Sequence, residues 1–347
     1  MAAEATPEGP PPPPRGPRPP RGRAAWAAVK VAAVALSLVH PACVLLSRHS
    51  WLADLVSHFR EPALAATVLA CLVMARGHRR IALALAVLAA FQVPPLLRYG
   101  GPNPVRPDPD SPARVRLLLA NVLHENDRYD ALARLIRRER PDVVGIVEFS
   151  EGWRSGLADV REEFPYRIEY PAGARGLALW FRVRPTSLDP PRRPTREGNP
   201  YLHATFEFGG RVRHLWLVHP SMPFSRVLKA GNPEMDGIAA DVRDRVGSRV
   251  VMGDLNSTDG SAHFHDFLKV SGLRDTRFGF GRQPTWPTDQ PYRIGIDHVF
   301  VSHDLAVVSR RLGPEIGSDH FPVLIDLAPA AETKSAAQSA QDSRPSH

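Results

Sequence analysis

Residues 249–256 read Arg-Val-Val-Met-Gly-Asp-Leu-Asn, an apolar run that ends abruptly in an acidic and an amide side chain. A similar transition occurs at residues 142–148, Asp-Val-Val-Gly-Ile-Val-Glu, and in reverse at residues 318–325, where Ser-Asp-His precedes an apolar run. Short apolar runs with polar boundaries are typical of buried strands. Because a sheet fixes the geometry of the loops at its strand ends, functional side chains often collect there. These runs therefore predict a sheet-based domain with a site at the strand ends.

Helical patterns separate the apolar runs between residues 114 and 328. In residues 128–140, apolar side chains recur at helical spacing, arginines occupy the other face, and Pro141 ends the pattern. Strands mixed with helices over this length predict one α/β domain. The predicted strands are 114–120, 142–147, 177–182, 202–208, 211–218, 249–252, 296–301 and 323–327, and the predicted helices are 128–140, 151–164, 233–246 and 261–270.

Polar side chains end or closely follow many of the predicted strands. One polar residue at a strand end is typical of a turn. A set of carboxylates, amides and imidazoles at the ends of several strands is instead typical of a catalytic or metal site. The residues in question are Asn121, Glu148, His219, Asp254, Asn256, Asp297, His298, Asp319 and His320.

The N-terminal region contains three hydrophobic stretches with few or no charges. They lie at residues 24–47, 62–75 and 81–97. A helix that spans a membrane needs about 20 apolar residues, with a range of roughly 17–25. The first stretch is long enough and the third is at the lower limit, whereas the second reaches it only with part of residues 55–61. We expect a membrane region of three helices over residues 24–98; one membrane anchor followed by a buried helical hairpin is the alternative.

The arginines of this region are unevenly distributed. Residues 1–23 carry four arginines and residues 76–80 carry three, whereas the two arginines of residues 47–61 are offset by Asp54 and Glu61. Because cytoplasmic loops carry an excess of Lys and Arg, the N-terminal tail and the 76–80 loop are predicted to be cytoplasmic. Three spans then place the α/β domain outside, in a multi-pass protein of the cell membrane with an extracytoplasmic domain.

The remaining segments are predicted to be tails and a linker. Residues 1–23 predict a disordered, Pro- and Arg-rich cytoplasmic tail, and residues 329–347, rich in Ala, Ser and Gln, a second disordered tail. Residues 99–113 predict a stiff, extended, Pro-rich linker. The chain of 347 residues has two cysteines, Cys43 and Cys71. This number excludes a disulfide-rich scaffold and a four-thiolate zinc site.

Taken in order, the polar motifs resemble those of the endonuclease/exonuclease/phosphatase superfamily. The resemblance implies a deoxyribonuclease-like four-layer α-β-β-α sandwich, in which two sheets pack face to face with helices outside. The N-terminal spans make the chain similar to a membrane-anchored bacterial branch, the teicoplanin-resistance proteins of the VanJ type. The matching motifs are Asn121, residues 141–148, His219, residues 253–256, Thr285-Trp286-Pro287, residues 296–299 and residues 318–320.

Hydrolysis of a phosphoester requires that phosphate charge be neutralised, which suits a hard divalent cation with oxygen ligands. Glu148 is the best candidate ligand; a carboxylate at the start of a helix is the alternative interpretation. The resemblance implies that Glu148 binds Mg²⁺ or Mn²⁺, with Asn121 and Asp319 nearby.

The resemblance also implies roles in acid–base chemistry. Asp254 would orient or deprotonate the attacking water, and Asn256 would hold the phosphate or Asp254. His320 would stabilise the charge that develops on the phosphorane, and Asp297 would favour the charged imidazole.

Two further histidines have different predicted roles. His219 corresponds to the second active-site histidine of the superfamily, and it would donate a proton to the leaving group. A carboxylate partner for His219 cannot be identified from the sequence. His298 follows Asp297 on a strand and should point to the opposite face, so we leave it out of the site.

The charge distribution bears on the substrate. Residues 1–100 contain 11 basic and 4 acidic residues, whereas residues 111–327 contain 30 basic and 28 acidic ones. A protein that holds a nucleic acid usually needs clustered basic residues, so nucleic acid is the less favoured partner. A domain tethered close to the membrane surface favours a lipid-linked phosphate or pyrophosphate, and the resemblance to VanJ-type proteins implies a lipid carrier of the cell envelope and a link to glycopeptide resistance. We therefore predict a metal-dependent phosphatase or phosphodiesterase that acts on such a substrate. The alternatives are an extracytoplasmic nuclease and a non-catalytic envelope protein that binds a lipid or a partner.

Overall fold

The computed structural model describes residues 21–222 and 231–331 of the chain. Residues 1–20 and 332–347, which hold most of the two predicted tails, lie outside the described residues, so the disorder of those tails stays a prediction. Within the described part, four N-terminal helices precede an α/β domain.

The N-terminal helices are α1 (Arg21–Leu46), α2 (Trp51–Ser57), α3 (Arg60–Ala75) and α4 (Arg79–Leu97). Two segments, Ala25–Leu46 and Arg79–Gly100, are long and apolar enough to span a membrane, with mean hydropathy values of 2.0 and 1.8. The α2 and α3 helices meet the same criteria only as a pair, and they are bent by 74° at their junction. The three predicted stretches thus correspond to two long helices and one bent pair.

The α3 helix packs against both α1 and α4. The faces that point away from these contacts are apolar, and the exposed fractions of Leu45, Leu72 and Phe91 are 81%, 65% and 77%. Between the helices, Gln92 Nε2 donates a hydrogen bond to Thr67 Oγ1 over 3.4 Å. Apolar side chains outside and polar contacts between helices are typical of a membrane bundle.

The α/β domain sits at one end of this bundle. Just after α1, Ser47 Oγ accepts a hydrogen bond from the backbone N–H of Ala262. At the start of α3, Arg60 lies 3.7 Å from Asp259, and just after α4 the Tyr99 hydroxyl donates to the same carboxylate over 3.2 Å. The end of α1, the start of α3 and the end of α4 therefore all meet the domain, so α3 runs antiparallel to the other two helices.

Twelve strands of the described residues form two six-stranded mixed sheets. The strands are β1 (Val115–Asn121), β2 (Val143–Val147), β3 (Tyr166–Tyr170), β4 (Leu177–Phe181), β5 (Pro185–Leu188), β6 (Leu202–Phe208), β7 (Arg211–Val218), β8 (Ser248–Asp254), β9 (Arg274–Asp275), β10 (Asp297–Val301), β11 (Leu305–Leu312) and β12 (Val323–Pro329). The order in the first sheet is β11-β12-β1-β2-β4-β3, and the order in the second is β5-β6-β7-β8-β10-β9. The β1/β2 and β7/β8 pairs are parallel, and the other pairs are antiparallel.

The two sheets face each other across an apolar core that includes Leu117, Leu217 and Met252. A second apolar cluster lies between the first sheet and three helices, and a third lies between the second sheet and two helices. This arrangement confirms the predicted four-layer α-β-β-α sandwich. The helices are α5 (Tyr129–Glu139), α6 (Glu151–Gly156) and α7 (Ala158–Arg161) on the first sheet, and α8 (Pro233–Arg243) and α9 (Ala262–Ser271) on the second.

The structure differs from the sequence prediction in two respects. The eight predicted strands are present, but β3, β5, β9 and β11 were not predicted, and these four are the edge strands of the two sheets. The predicted helix at 151–164 was wrong as a single element. Leu157, at φ −103° and ψ 12°, interrupts it and separates α6 from α7.

The predicted linker, residues 99–113, contacts the domain at several points. Tyr99 is buried, and Arg277 Nη2 donates to its hydroxyl over 2.7 Å. Further along, Asn103 Nδ2 donates to the carbonyl of Val307 over 2.9 Å, and Pro107 pairs with Ala330 in an isolated bridge. These contacts hold the domain close to the end of the bundle.

Candidate active site

The ends of β1, β2 and β8 meet the starts of β10 and β12 at one end of the sandwich. Asp254 at the end of β8 is paired in register with Asp297 at the start of β10. Asn121 ends β1, and its Nδ2 donates to Glu148 Oε1 over 3.1 Å and to Asp254 Oδ2 over 3.0 Å. A single amide thus joins carboxylates from the two sheets, which brings predicted site residues into one cluster.

The loop before β12 places His320 beside Asp297. His320 Nδ1 lies 2.8 Å from Asp297 Oδ2. The backbone N–H of Asp297 donates to Thr285 Oγ1, and that of His320 donates to Ser318 Oγ, so both members of the pair are fixed. Burial alone would lower the pKa of His320, but the charge of Asp297 and its hydrogen bond raise that pKa to about 10. His320 is therefore a charged donor at neutral pH.

Asp254 is a buried carboxylate within reach of this donor. Its Oδ1 accepts the backbone N–H of Asn256 over 2.8 Å, and its Oδ2 lies 3.8 Å from His320 Nε2. Burial, and next the nearby charge of Asp297, raise the pKa of Asp254 to about 6. A carboxylate whose pKa lies near neutrality is suited to act as a general base.

His219 follows β7 and faces Asp254, with 3.8 Å between His219 Nε2 and Asp254 Oδ2. Its loop is held by two side-chain amides: Asn199 Nδ2 donates to the His219 carbonyl, and Asn256 Nδ2 donates to the Pro220 carbonyl. In the described part of the chain, the buried Nδ1 of His219 has no hydrogen-bond partner. The structure thus places His219 in the site, with Asp254 as its neighbouring carboxylate.

Glu148 follows β2 with φ +62°, a backbone conformation that is uncommon for a residue other than glycine. Such conformations are found preferentially at functional sites. The backbone N–H of His124 donates to Glu148 Oε2, and His124 Nδ1 lies 3.0 Å from the same oxygen. Burial would raise the pKa of Glu148, but the hydrogen bond from His124, the nearby His219 and the hydrogen bond from Asn121 hold that pKa below its ordinary value. His124 was not among the predicted site residues.

Asp319 lies at the rim of the cluster. Its Oδ2 accepts a hydrogen bond from Trp286 Nε1 over 2.9 Å. Its Oδ1 is buried and has no hydrogen-bond partner within the described ranges. An oxygen of this kind, together with the Glu148 carboxylate, fits a hard cation such as Mg²⁺ or Mn²⁺. Asn121, the third predicted ligand, uses its Oδ1 to accept the backbone N–H of Leu123 over 3.1 Å.

Among the described residues, one group of three side chains has ligand atoms that all lie within 4.8 Å of one another, namely Asp254, Asp297 and His320. Within this group, however, His320 already shares a hydrogen bond with Asp297. The hydrogen-bonded His320–Asp297 pair is arranged for acid–base chemistry, and the carboxylates of Glu148 and Asp319 are further oxygen donors in the cluster.

His298 lies on the opposite face of β10 from Asp297. Its Nε2 is 2.8 Å from the carbonyl oxygen of Ser257, and its ring stacks on Phe300. Burial lowers the pKa of His298 to about 4, so this imidazole is neutral. It is a core residue that supports the loop after Asp254.

A cavity of about 290 Å³ opens on the cluster. Glu148, Asp254, Asn256, Asp319 and His320 form its polar side. Its other walls are mainly apolar, and part of them comes from the junction between α2 and α3.

Comparisons with known proteins agree with the fold of the α/β domain. The model of the Endonuclease/Exonuclease/phosphatase family matches residues 115–320. That range contains all the predicted site residues. No curated protein sequence matches the chain.

Solved structures with a similar fold include three from different organisms. An endonuclease/exonuclease/phosphatase family protein from Leptotrichia buccalis is 18% identical, with a TM-score of 0.50 over 61% of this chain and 99% of that one. The endonuclease/exonuclease/phosphatase from Bacteroides vulgatus is 20% identical, with a TM-score of 0.50 over 62% of this chain and 99% of that one. D. rerio TDP2, complexed with a single-strand DNA product, is 17% identical, with a TM-score of 0.52 over 62% of this chain and 98% of that one. At these identities the likeness concerns the fold.

Proposed function

This chain belongs to the endonuclease/exonuclease/phosphatase family, and on that premise we propose that it hydrolyses a phosphoester or pyrophosphate bond in a lipid-linked substrate of the cell envelope. The observation that carries the choice of substrate is the position of the site. The cavity that holds Asp254 and His320 is walled on one side by Leu55 and Phe59 of the α2–α3 junction. A substrate that enters this cavity has its phosphate at the catalytic cluster and its remainder beside the helical bundle.

The chain's own residues supply the acid–base steps of the proposed reaction. Asp254, whose raised pKa makes it a base near neutral pH, accepts a proton from the attacking water. His320, held in its charged form by Asp297, donates from Nε2 to a phosphate oxygen as negative charge builds up there. His219 is the second imidazole of the site and is available to protonate the leaving oxygen.

We propose Glu148 and Asp319 as the residues that hold Mg²⁺ or Mn²⁺. Asn121 would fix the Glu148 carboxylate through its Nδ2 hydrogen bond. A bound divalent cation would neutralise phosphate charge in the transition state. The other polar side chains of the site keep the roles in orienting water and transferring protons described above.

The proposed location is the outer face of the cell membrane. Three helix ends meet the domain, and the arginine-rich loop at residues 76–80 lies between the opposite ends of α3 and α4. Because positively charged loops favour the cytoplasm, this loop and the N-terminal tail are placed inside and the domain outside. The α3 helix has 16 residues, which gives a length of about 24 Å at 1.5 Å per residue, so it can span most of a hydrocarbon core of about 30 Å.

An alkaline phosphatase fusion after Gly101 is expected to be active, and a fluorescent-protein fusion at the same position is expected to be dark. Both results follow if α1, the bent α2–α3 pair and α4 each cross the membrane once. A fusion after Gly77 should give the reverse pair of results and serves as the control. An inactive alkaline phosphatase fusion after Gly101 would place the domain in the cytoplasm and would contradict the proposed location.

The substrate class is tested by hydrolysis assays of the purified full-length protein in detergent. Each substrate is followed by its own product: inorganic phosphate from the pyrophosphate, the free alcohol from the phosphodiester, and shortened strands from the DNA. A polyprenyl pyrophosphate, a short soluble phosphodiester and a single-stranded DNA oligonucleotide are compared at equal concentration, with and without chelator. We expect the highest kcat/KM for the lipid pyrophosphate and loss of turnover with chelator. A preference for DNA would favour the extracytoplasmic nuclease, and no turnover of any substrate would favour the binding-protein alternative.

The resemblance to teicoplanin-resistance proteins of the VanJ type adds a physiological proposal. Hydrolysis of a lipid carrier on the outer face would alter the supply of cell-wall precursors that glycopeptides bind. A strain that expresses the wild-type chain is then expected to tolerate more teicoplanin than one that expresses the catalytically inactive Asp254→Asn variant.

A further inference from the structure

The α2–α3 junction is docked on the loop that follows the catalytic strand β8. His58 Nδ1 lies 3.1 Å from Thr258 Oγ1, and Ser261 Oγ donates a hydrogen bond to Asp54 Oδ1. His58 and Thr258 are both buried. The docked loop begins directly after Asn256, so the junction contacts the segment that immediately follows Asp254 and Asn256.

Three side chains of the junction reach the cavity itself. Leu55, His58 and Phe59 line it together with Asp254 and His320. Leu55 and Phe59 are half-buried and apolar. The apolar wall continues on the domain side, where Leu123, Ala174, Met222, Trp286, Ile294 and Ile296 contribute.

His58 differs from the other two because it is polar. In the described part of the chain, its Nε2 is buried without a hydrogen-bond partner, and the nearest carboxylate oxygen, Asp54 Oδ2, is 3.9 Å away. A buried imidazole nitrogen without a partner is costly unless a ligand or water satisfies it. Since this side chain lines the cavity, a bound phosphate oxygen is a partner of suitable chemistry.

We infer that the α2–α3 junction is part of the substrate-binding site: Leu55 and Phe59 contact the hydrocarbon of an amphiphilic phosphate ester, and His58 contacts an oxygen of its phosphate group. The inference rests on the proposed function and adds to it a specificity element outside the catalytic domain. The occupant is an amphiphile because the wall belongs to helices whose remaining surface is apolar and spans from the site into the bundle. A hydrocarbon chain that leaves the cavity on that side stays in an apolar environment. A polyanion on the same side would lose its contact with water, which is unfavourable for charged groups.

The test compares two synthetic substrates that differ only in their apolar group, p-nitrophenyl phosphodiesters with a methyl or an octyl ester. The full-length protein in non-ionic detergent is assayed with Mg²⁺ at substrate concentrations below micelle formation. The quantity measured is the ratio of kcat/KM for the octyl substrate to that for the methyl substrate. Burying one methylene corresponds to about a 4-fold gain in affinity, so three methylenes in contact with the wall would make wild type favour the octyl substrate by about 60-fold.

The variant Leu55→Gln/Phe59→Gln is expected to lower this ratio by about 16- to 60-fold, the equivalent of two to three methylene contacts. The matched control is Leu52→Gln/Phe91→Gln, which changes two apolar side chains of the same helical region that lie outside the cavity and are 54% and 77% exposed. The control should keep the wild-type ratio. An equal fall in the control, or no fall in the Leu55/Phe59 variant, would overturn the inference.

His58 gives a separate readout. His58→Phe keeps a ring of similar size but removes both nitrogens, so KM should rise by about 5- to 20-fold for the methyl and the octyl substrate alike, which corresponds to the loss of one hydrogen bond to a charged group. The octyl-to-methyl ratio should stay unchanged, and His58→Gln should restore part of the affinity. A wild-type KM in the folded His58→Phe variant would remove His58 from the inference. Chelator-sensitive turnover of both substrates with no octyl preference in wild type would reject the inference and leave the proposed hydrolysis intact, whereas no turnover at all would reject the proposed function.

Discussion

Replacing Asp254 by Asn or His320 by Ala is expected to lower kcat by about 10²–10⁴-fold, because each change removes one positioned acid–base group. Asp254→Asn preserves the shape of the side chain but removes the charge that accepts a proton from water. His320→Ala removes the donor that Asp297 holds in place over 2.8 Å. The melting temperature of each variant should stay within a few degrees of wild type, so the loss is in the chemical step.

Matched controls exist for both substitutions. Asp244 is exposed and paired with Arg243, and His303 is exposed outside the cluster. Asp244→Asn and His303→Ala should keep wild-type kcat. The double variant of Asp254 and His320 should be little slower than the slower single variant, since groups that act on one step are strongly non-additive. Near-wild-type kcat in both single variants would rule out the acid–base assignment.

Removal of divalent metal is expected to abolish turnover, and Mg²⁺ or Mn²⁺ is expected to restore it. Glu148→Gln should remove most of this restoration, because the neutral amide cannot supply the charged oxygen that a hard cation prefers. We expect a fall of at least about 10²-fold in kcat/KM at saturating metal, in line with the loss of charge stabilisation in the transition state. The measurement is phosphate release as a function of metal concentration.

His124 separates metal binding from the chemical step. It supplies two of the contacts of Glu148 Oε2 but is not itself proposed as a ligand. His124→Phe is therefore expected to raise the metal concentration needed for half-maximal activity by about 10- to 100-fold, with most of kcat recovered at high metal. Full activity of wild type in excess chelator would show that the reaction does not depend on a divalent metal.

The strands that could be predicted from the sequence are those inside the sheets. Most interior strands are covered on both faces by the core and by helices, so they contain apolar runs that are visible in the sequence. The four edge strands are less distinct in the sequence: β9 has two residues, every residue of β3 is only half-buried, and the apolar start of β11 is followed by Arg310 and Arg311 after a bulge. Their existence depends on the neighbouring strand that they pair with.

The site residues that could be predicted are those that lie next to the apolar strands. The polar residues at strand ends are marked by the apolar runs that precede or follow them, and the structure brings these residues into one cluster. His124 and His58 carry no such mark. His124 lies in a loop and contacts Glu148. His58 reaches the site because the α2–α3 junction docks against Thr258, which is 200 residues away in sequence. Contacts of that separation are set by tertiary packing and leave no periodic pattern.

The pairing of β1 with β12 has a consequence for how the protein is made. The first strand of the domain lies between β12 and β2, so its hydrogen-bonding edge stays open until Leu327 pairs with Val115. The ribosome releases the chain from its N-terminus, so the apolar helices are synthesised and can integrate into the bilayer long before the sheet can close. On the proposed topology, the loop that follows Asp254 would then meet a junction that is already in the membrane. The active site would therefore be assembled last, and a polypeptide that stalls before β12 would have its N-terminal helices but an unfinished sheet with an exposed edge, which is prone to aggregation.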